Sequence, residues 1–522
     1  MDEHDIYREI ISLIFASSAS ESDIQSIKLS VCRKYSLDVM PKNSAILAAA
    51  EPEEYESVRR VLQVKPTRTL SGVAPVAVMT SPCACPHGKC LPCPGGPDHV
   101  FQSPQSYTGE EPATLRARQN EYDPYRQVVA RLGQFKLLGH HVDKAELIVM
   151  GGTMTARAPS YQEWFVSECL RGMNEFSGTL SAAHGLAELM SENESSDVRC
   201  IATTFETRPD WCRGEHINRM LDLGVTKVEL GFQHTDDEVL TLNKRGHTVS
   251  DSVEANRLLR DAGIKVGFHV MPNLYGSNIL RDQKMFDKLF TDPRFCPDFL
   301  KIYPTLVTPG AELEGLWKAG EYATYDEDEL VDLLAYAKAR LPEYVRLQRI
   351  QRDIPAKLIV SGSIHGNIRQ MTQQRLAEYG GQCRCIRCRE IGRHPSHASE
   401  REETLIYDCC GGTEHFLSMT AGDALIGFVR LRFAGSVFYP ELEDAALVRE
   451  LHVYGSIVPL GEHGECEDRQ HRSYGQRLLS RAEEMARAAG YGKVAVMTGI
   501  GVRPYYCKQG YVKTGPYMIK TL

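Results

Sequence analysis

From Arg68 to Arg375 the chain repeats one pattern: a short apolar run, a loop, then a longer segment with helical periodicity. The runs are 73–79, 145–150, 199–205, 227–232, 265–271, 299–307 and 345–350, with helical segments such as 250–262 and 326–341 between them. Parallel neighbours need a crossover long enough for a helix, so the pattern predicts an α/β barrel or an open parallel sheet. Such folds gather their chemistry in loops beyond the strands' C-terminal ends. Two loops sit there: residues 82–98, reading PCACPHGKCLPCPGGPD, and Gly151-Gly152-Thr153. Paired glycines let backbone approach a ligand closely, although tight turns use the same residues.

Cys85, Cys90 and Cys93 form a C-x4-C-x2-C arrangement. That spacing aims three thiolates at one centre, as soft-metal and iron–sulfur sites require. Three cysteines leave one iron of a cubane cluster open for a substrate or cofactor. A structural zinc loop completed by Cys83 or His87 fits the spacing as well. A second knot, Cys383-Arg-Cys385-Ile-Arg-Cys388, points to structural zinc in a connector, with reduced, non-ligating cysteines as the alternative. Its fourth ligand stays open among Cys409, Cys410, Cys466, His394 and His397.

At 522 residues the chain is expected to hold two or three domains. The opening Met1-Asp-Glu-His is acidic, no apolar run reaches the roughly 20 residues of a membrane span, and the cysteines cluster. The expectation is a cytoplasmic protein whose reduced thiols bind metal. A net charge of −8 argues against a general polycation but leaves room for a local basic face.

Residues 1–66 predict a small helical domain, with Ile6, Ile10, Ile11, Leu13 and Ile14, then Ile24, Ile27 and Leu29, at helical spacing. Residues 67–375 hold the repeat, 376–403 the cysteine linker, and 404–522 a mixed α/β module. In that module 424–433, 448–453 and 493–497 read as strands, and a polar turn at 470–475 opens an amphipathic helix, 476–489. Such a turn presents backbone N–H groups suited to a pyrophosphate. Tyr506 follows, able to give a proton to a departing thiolate or simply to pack as a buried aromatic.

Several runs together resemble the catalytic subunit of Elongator: Val76-Ala-Val-Met79, Cys90-x-x-Cys-Pro-Gly-Gly-Pro-Asp98, Gln105-Ser-Tyr-Thr-Gly109 and Arg118-x-x-x-Tyr-Asp-Pro124. So do Met150-Gly-Gly-Thr153, Glu206-Thr-Arg-Pro-Asp210, Arg245-Gly-His-Thr248, Leu300-Lys-Ile-Tyr-Pro-Thr305, Gln351-Arg-Asp-Ile-Pro355 and Arg449-Glu-Leu-His-Val-Tyr-Gly455, and the stretch from Tyr505 to Met518. The resemblance implies an α/β multidomain protein: a radical S-adenosylmethionine domain built as a partial TIM-type (β/α) barrel, plus a GNAT-type acetyltransferase domain. It implies a 4Fe-4S cluster on Cys85, Cys90 and Cys93, with Cys83 as a possible substitute ligand, and zinc on Cys383, Cys385 and Cys388. S-adenosylmethionine is expected at Gly151, Gly152, Thr153, Glu206 and Arg208. Acetyl-CoA is expected at Lys144, Glu450, Leu451, His452, Val453, Tyr474, Gly475, Gln476 and Tyr506, with Lys144, Glu450 and Tyr506 catalytic.

The implied activity is that of a tRNA uridine(34) acetyltransferase. A 5′-deoxyadenosyl radical takes hydrogen from the acetyl methyl, the resulting carbon radical adds to C5 of the wobble uridine, and thioester hydrolysis leaves 5-carboxymethyluridine. The implied partner is a tRNA anticodon stem-loop, the enzyme acting alone, without accessory subunits, or as a homodimer, and the intact Cys383–Cys388 knot points to a stand-alone archaeal or bacterial member. Ser473 departs from the family's CoA loop, Gln-x-x-Gly-x-Gly, at its first glycine; a positive φ there would strain serine by roughly 1 kcal/mol or more. Arginines in 116–131, 340–357 and 384–393, with Lys34, Lys42, Lys65 and Arg68, are candidates for the phosphate contacts. A competing function is protein lysine N-acetylation over an iron–sulfur scaffold, with Glu450 as general base; a third is a tRNA-binding module with a decayed acetyltransferase part.

Overall fold

Two seven-stranded sheets organise the computed structural model, which describes every residue except 1, 18–19, 21–22, 100–101, 397 and 455–472. The first contains β1 (Ala74–Met79), β2 (Lys144–Met150), β3 (Arg199–Thr207), β4 (Lys227–Gln233), β5 (Lys265–Val270), β6 (Phe299–Ile302) and β7 (Arg346–Ile350). They pair in parallel and in chain order, β1 to β7. With right-handed crossovers, an order without a switch point puts the connecting helices on one face, so the sheet curls into a half-barrel with an open concave side. The sixth run stops at Ile302, short of the expected 307; Pro304 follows and has no N–H for a ladder.

Strand periodicity sorts the side chains. Along β2, Ala145, Leu147 and Val149 are buried, while Lys144, Glu146, Ile148 and Met150 alternate with them. The helix side is apolar, with Val228, Leu230, Phe232, Val266 and Phe268 in the core. The concave side carries charge instead of the branched aliphatics usual in closed barrels. Lys227 pairs with Glu146 at 2.7 Å and Glu229 at 3.6 Å. Glu229 also meets His269 Nε2 at 2.9 Å and the ammonium of Lys301, which lies 3.7 Å from Glu206.

Four N-terminal helices, Glu3–Ala16, Ile24–Tyr35, Asn43–Ala48 and Pro52–Leu62, enclose a separate core of Ile6, Ile10, Ile11, Ile14, Ile24, Val31 and Val58. Leu29, expected in that core, is 43% exposed. The unit docks on the half-barrel through Arg59 Nη1, which donates to Gly139 O at 3.0 Å, and through Gln63 against His140.

The second sheet contains β8 (Glu400–Cys409), β9 (Gly412–Ala421), β10 (Ala424–Phe433), β11 (Ala445–Val453), β12 (Lys493–Val496), β13 (Val512–Thr514) and β14 (Tyr517–Thr521), ordered β13-β14-β12-β11-β10-β9-β8. The pair β11–β12 is parallel and the others antiparallel. It sits beneath the N-terminal ends of the barrel strands: Ile500–Val502 packs on β3, His452 Nε2 is 3.2 Å from Ser71 O, and Tyr454 Oη accepts from Arg346 at 2.8 Å.

A buried ion network joins the two sheets. Arg449 meets Asp298 at 2.7 Å and Glu414 at 3.0 Å, Arg260 meets Glu414 at 3.1 Å, and Arg432 meets Asp261 at 2.6 Å. Arg430 reaches Asp298 at 3.5 Å and Glu450 at 2.8 Å. Opposed guanidinium groups hold the Asp298 carboxyl well below the usual carboxylate range, and lower that of Glu414, despite burial. Among the described residues, no helix is long and apolar enough to cross a membrane.

Candidate functional site

The cysteine loop leaves β1 at the C-terminal rim of the half-barrel, as expected for its position after the first run. Cys85, Cys90 and Cys93 face a cavity of about 700 Å³ shared with Gly152, Thr153, Glu206 and Arg208. Cys90 Sγ accepts from Arg245 Nη1 and lies beside His87 Nε2, each at 2.9 Å; Cys93 Sγ accepts from Gln105 Nε2 at 2.9 Å; Cys85 Sγ is 3.8 Å from Thr153 Oγ1. Burial pushes the Cys85 thiol up to about 11 and raises Cys90 too, so stable thiolates there need a cationic centre.

Ligand spacing separates two kinds of centre. Thiolates on one tetrahedral zinc at 2.3 Å stand about 3.8 Å apart, whereas ligands to separate irons of a cluster stand farther apart. The sulfurs of Cys383, Cys385 and Cys388 all lie within 4.8 Å of one another, the geometry of a single ion. Those of Cys85, Cys90 and Cys93 do not form such a group, with or without Cys83 or His87. Cys83 lines a separate, smaller hollow with Arg157 and Trp211.

Orphaned polar atoms mark where a ligand fits. Arg208 Nε and Nη1 are buried without partners while Nη2 is held by Asp210 at 2.9 Å, so an unsatisfied guanidinium edge lies in the cavity wall. Glu206 accepts from Tyr107 Oη at 2.9 Å. Gly152 and Thr153 line the cavity; Gly151 makes the turn behind it. At φ 117° a Cβ on Gly151 would stand 3.0 Å from Thr80 N and closer still to Thr80 Oγ1, so only glycine fits.

The residues expected to hold acetyl-CoA lie on the other side of the barrel floor. Lys144 starts β2 at its N-terminal end, and burial lowers its ammonium pKa. Strand β12 pairs with β11 from Ala445 to Val448, and Glu450 to Val453 continue β11 beyond that pairing. The helix Tyr474–Ala488 begins beside this stretch: a Cβ on Gly475 would lie 3.9 Å from Val453 Cγ2 and 3.0 Å from Tyr505 Oη. Gln476 bonds Gln509 at 3.5 Å, and the Tyr474 hydroxyl is engaged by Glu400, which leaves only its backbone for a ligand. Ser473 stands at φ 60°, so this position does take the left-handed conformation that glycine suits. Tyr506 is buried, which raises its phenol pKa and keeps it protonated. Glu450 is a poor candidate base: although burial opposes it, Arg430 and Lys265 hold its carboxyl below the usual range.

Among the described residues no fourth ligand joins Cys383, Cys385 and Cys388. The Cys409–Cys410 pair lies at the β8–β9 turn, where Cys410 Sγ meets Asn256 Nδ2 at 3.0 Å and Arg294 O at 3.4 Å, away from the knot; Cys466 and His397 lie outside the described residues. Several of the candidate basic residues are engaged in ion pairs. Arg384 and Arg389 pair with Glu343, Arg393 with Glu390, Arg340 with Asp287 and Lys34 with Glu9. Arg68, Arg116, Arg131 and Arg352 line the cavity, and among the described residues none makes an ion pair at the salt-bridge distance of 4.0 Å. Lys301, Arg245 and Gln105 stand within the runs that resemble the family, whereas the concave charges Glu229 and His269 escape a motif-based reading. Their signal is charge at alternate positions of otherwise apolar strands, as in Lys227-Val-Glu229-Leu-Gly231.

Comparison with known proteins agrees with this geometry. The ELP3 N-terminal domain matches residues 4–70, the radical SAM superfamily 81–289 and the radical SAM C-terminal domain 297–378. A Methanocaldococcus infernus protein named tRNA uridine(34) acetyltransferase is 46% identical over 96% of this chain and 95% of its own. Elongator complex protein 3 of Homo sapiens is 41% identical over 99% of this chain and 96% of its own. The solved structure of the archaeal M. infernus Elp3 with an N-terminal deletion of residues 1–46 superposes with a TM-score of 0.76 at 41% identity, covering 87% of this chain and all of that one. By near full-length similarity to both, the chain belongs to the Elongator complex protein 3 family, within the radical SAM superfamily.

Proposed function

We propose that this protein is a tRNA uridine(34) acetyltransferase that forms 5-carboxymethyluridine at the wobble position from acetyl-CoA, acting in the cytoplasm alone or as a homodimer. The observation that carries the reading is the convergence of Cys85, Cys90 and Cys93 with the unsatisfied edge of Arg208 in one cavity whose lip is lined by unpaired arginines. Cys85, Cys90 and Cys93 would hold a 4Fe-4S cluster, and Gly152, Thr153, Glu206 and Arg208 S-adenosylmethionine. Bound there, the pair supplies a carbon-centred radical able to remove hydrogen from an acetyl methyl.

The chain's own residues do the rest. Arg208 offers its open edge to a carboxylate, and Glu206, held by Tyr107 and Lys301, accepts from hydroxyl or amine donors. Arg68, Arg116, Arg131 and Arg352 neutralise RNA phosphates at the lip, so the anticodon loop can lower one unstacked base toward the thiols. Below the barrel floor, Lys144 would meet CoA phosphates, the β11 backbone from Glu450 to Val453 the pantetheine amides, and the N–H groups at Tyr474, Gly475 and Gln476 the pyrophosphate. A neutral Tyr506 would hydrogen-bond the thiolate as the thioester is hydrolysed. Cys383, Cys385 and Cys388 would hold zinc beside the junction between the two sheets.

The test uses anaerobically reconstituted, reduced protein with S-adenosylmethionine, acetyl-CoA and unmodified tRNA, the digested nucleosides being read by mass spectrometry. Carboxymethyluridine with the native chain and none with Cys90→Ser is the expected result. Acetyl-CoA turnover and an intact cluster with no modified uridine would overturn the reading.

A further inference from the structure

The three candidate cluster thiols receive unequal partners. Cys93 has a neutral amide donor, Gln105 Nε2 at 2.9 Å, and Cys85 has Thr153 Oγ1 at 3.8 Å. Cys90 alone has a guanidinium: Arg245 Nη1 donates to its sulfur at 2.9 Å while Nη2 donates to Gly231 O at 3.1 Å. Arg245 is 9% exposed, and its Nε is buried without a partner. Among the described residues no carboxylate pairs with it at the salt-bridge distance of 4.0 Å. A buried guanidinium without a counter-charge is costly, and among the described residues the ionisable group it donates to is Cys90, an anion when a thiolate.

The loop around Arg245 is built onto the cysteine loop. Leu91 N donates to Asn243 O at 3.1 Å, and the Arg245 N–H is fixed to Leu240 O at 3.0 Å. Gly246 stands at φ 67°, where a Cβ would come within 2.8 Å of His87 Cβ, so glycine is what lets the two loops close. Gly231 has the same function on the other side, since a Cβ there would lie 3.2 Å from Arg245 Nη2. Two strand–loop units thus aim one positive charge at one sulfur.

We propose that Arg245 is a positioning residue for the iron–sulfur centre, whose guanidinium against the Cys90 sulfur raises the cluster's reduction potential and favours the added electron on the Cys90 side. The inference rests on the cluster assignment above. A fixed positive charge and a charge-assisted hydrogen bond to a ligand sulfur both stabilise the form that carries one more electron. The neutral amide of Gln105 acts in the same direction at Cys93, but less strongly.

The experiment is a redox titration of the full-length, anaerobically reconstituted protein, followed by electron paramagnetic resonance, with iron and sulfide assayed on each sample. The variants are Arg245→Gln, Arg245→Lys and Gln105→Leu. Arg245→Gln is expected to keep its iron and, at a fixed potential, to show a reduced-to-oxidised ratio at least tenfold lower, a midpoint about 59 mV more negative for one electron. Arg245→Lys should lie nearer the native value, and Gln105→Leu should move less than Arg245→Gln. If Arg245→Gln loses iron, retention of iron and a near-native midpoint in Arg245→Lys supports the proposal. An unchanged midpoint in iron-replete Arg245→Gln overturns it, as does complete loss of iron from Arg245→Lys, which would make the arginine a folding element only. A native protein that binds no iron would instead sink the cluster assignment itself.

Discussion

Replacing Asp298 by asparagine tests how the two sheets are held together. Asp298 accepts from Arg449 Nη2 at 2.7 Å, Arg449 Nη1 at 2.9 Å and Val266 N at 2.9 Å, and it faces Arg260 and Arg430. Neither Asp298 nor Arg449 has exposed surface, so water cannot take over when a partner is lost. Asparagine keeps the shape and removes one charge, leaving Arg260, Arg430, Arg432 and Arg449 facing only Asp261, Glu414 and Glu450. Breaking a buried pair from one side destabilises by about 3–5 kcal/mol. Urea unfolding should show a loss of that size and separate transitions for the half-barrel and the second sheet. Adding Arg449→Met restores the charge balance, so the double variant should recover most of the loss and the two single losses should not add. The pH dependence has a definite sign. Carboxyls depressed in the folded state stabilise fully above their unfolded values, roughly 4, and that stability is lost as pH falls through the lower folded values. Asp298→Asn should therefore flatten the acid limb. A loss under about 1 kcal/mol, or additive single variants, would refute the reasoning.

Further outcomes concern the site. Ser473→Gly should stabilise the protein by up to about 1 kcal/mol, relief of left-handed strain being partly offset by unfolded-state entropy, and should leave acetyl-CoA affinity nearly unchanged by calorimetry. Tyr506→Phe should slow tRNA-dependent acetyl-CoA turnover about ten- to a hundredfold, the loss of one hydrogen bond to a charged group, with cluster iron unchanged. Arg116→Ala with Arg131→Ala should weaken binding of an anticodon stem-loop and reduce the salt slope by about 0.7–0.9 per arginine, with no change in base preference.

Local chemistry made much of this molecule legible. Seven apolar runs separated by helical segments have few solutions other than a parallel sheet, and all seven became strands. The C-x4-C-x2-C loop after the first run had to emerge at the rim where chemistry collects. Ser473 could be questioned from the sequence because a glycine position carries a backbone angle with it. The sequence pattern does not show β8, β9, β13 or β14: β8, for one, is a largely exposed edge strand, so its pattern reflects its neighbours and not a core.

What sequence determined by itself was therefore the order of elements in the half-barrel, the thiol groups and the family. Only the tertiary structure decided which of two cysteine groups suits a single ion, which arginines keep their charge for a ligand, and that Glu450 is tied to Arg430 and not poised as a base. It also brought Arg245 to Cys90 across 155 positions of chain. Spacing along a chain constrains neighbours within a loop or a strand; pairing of charges between elements depends on how the sheets curl and stack, which no local pattern records.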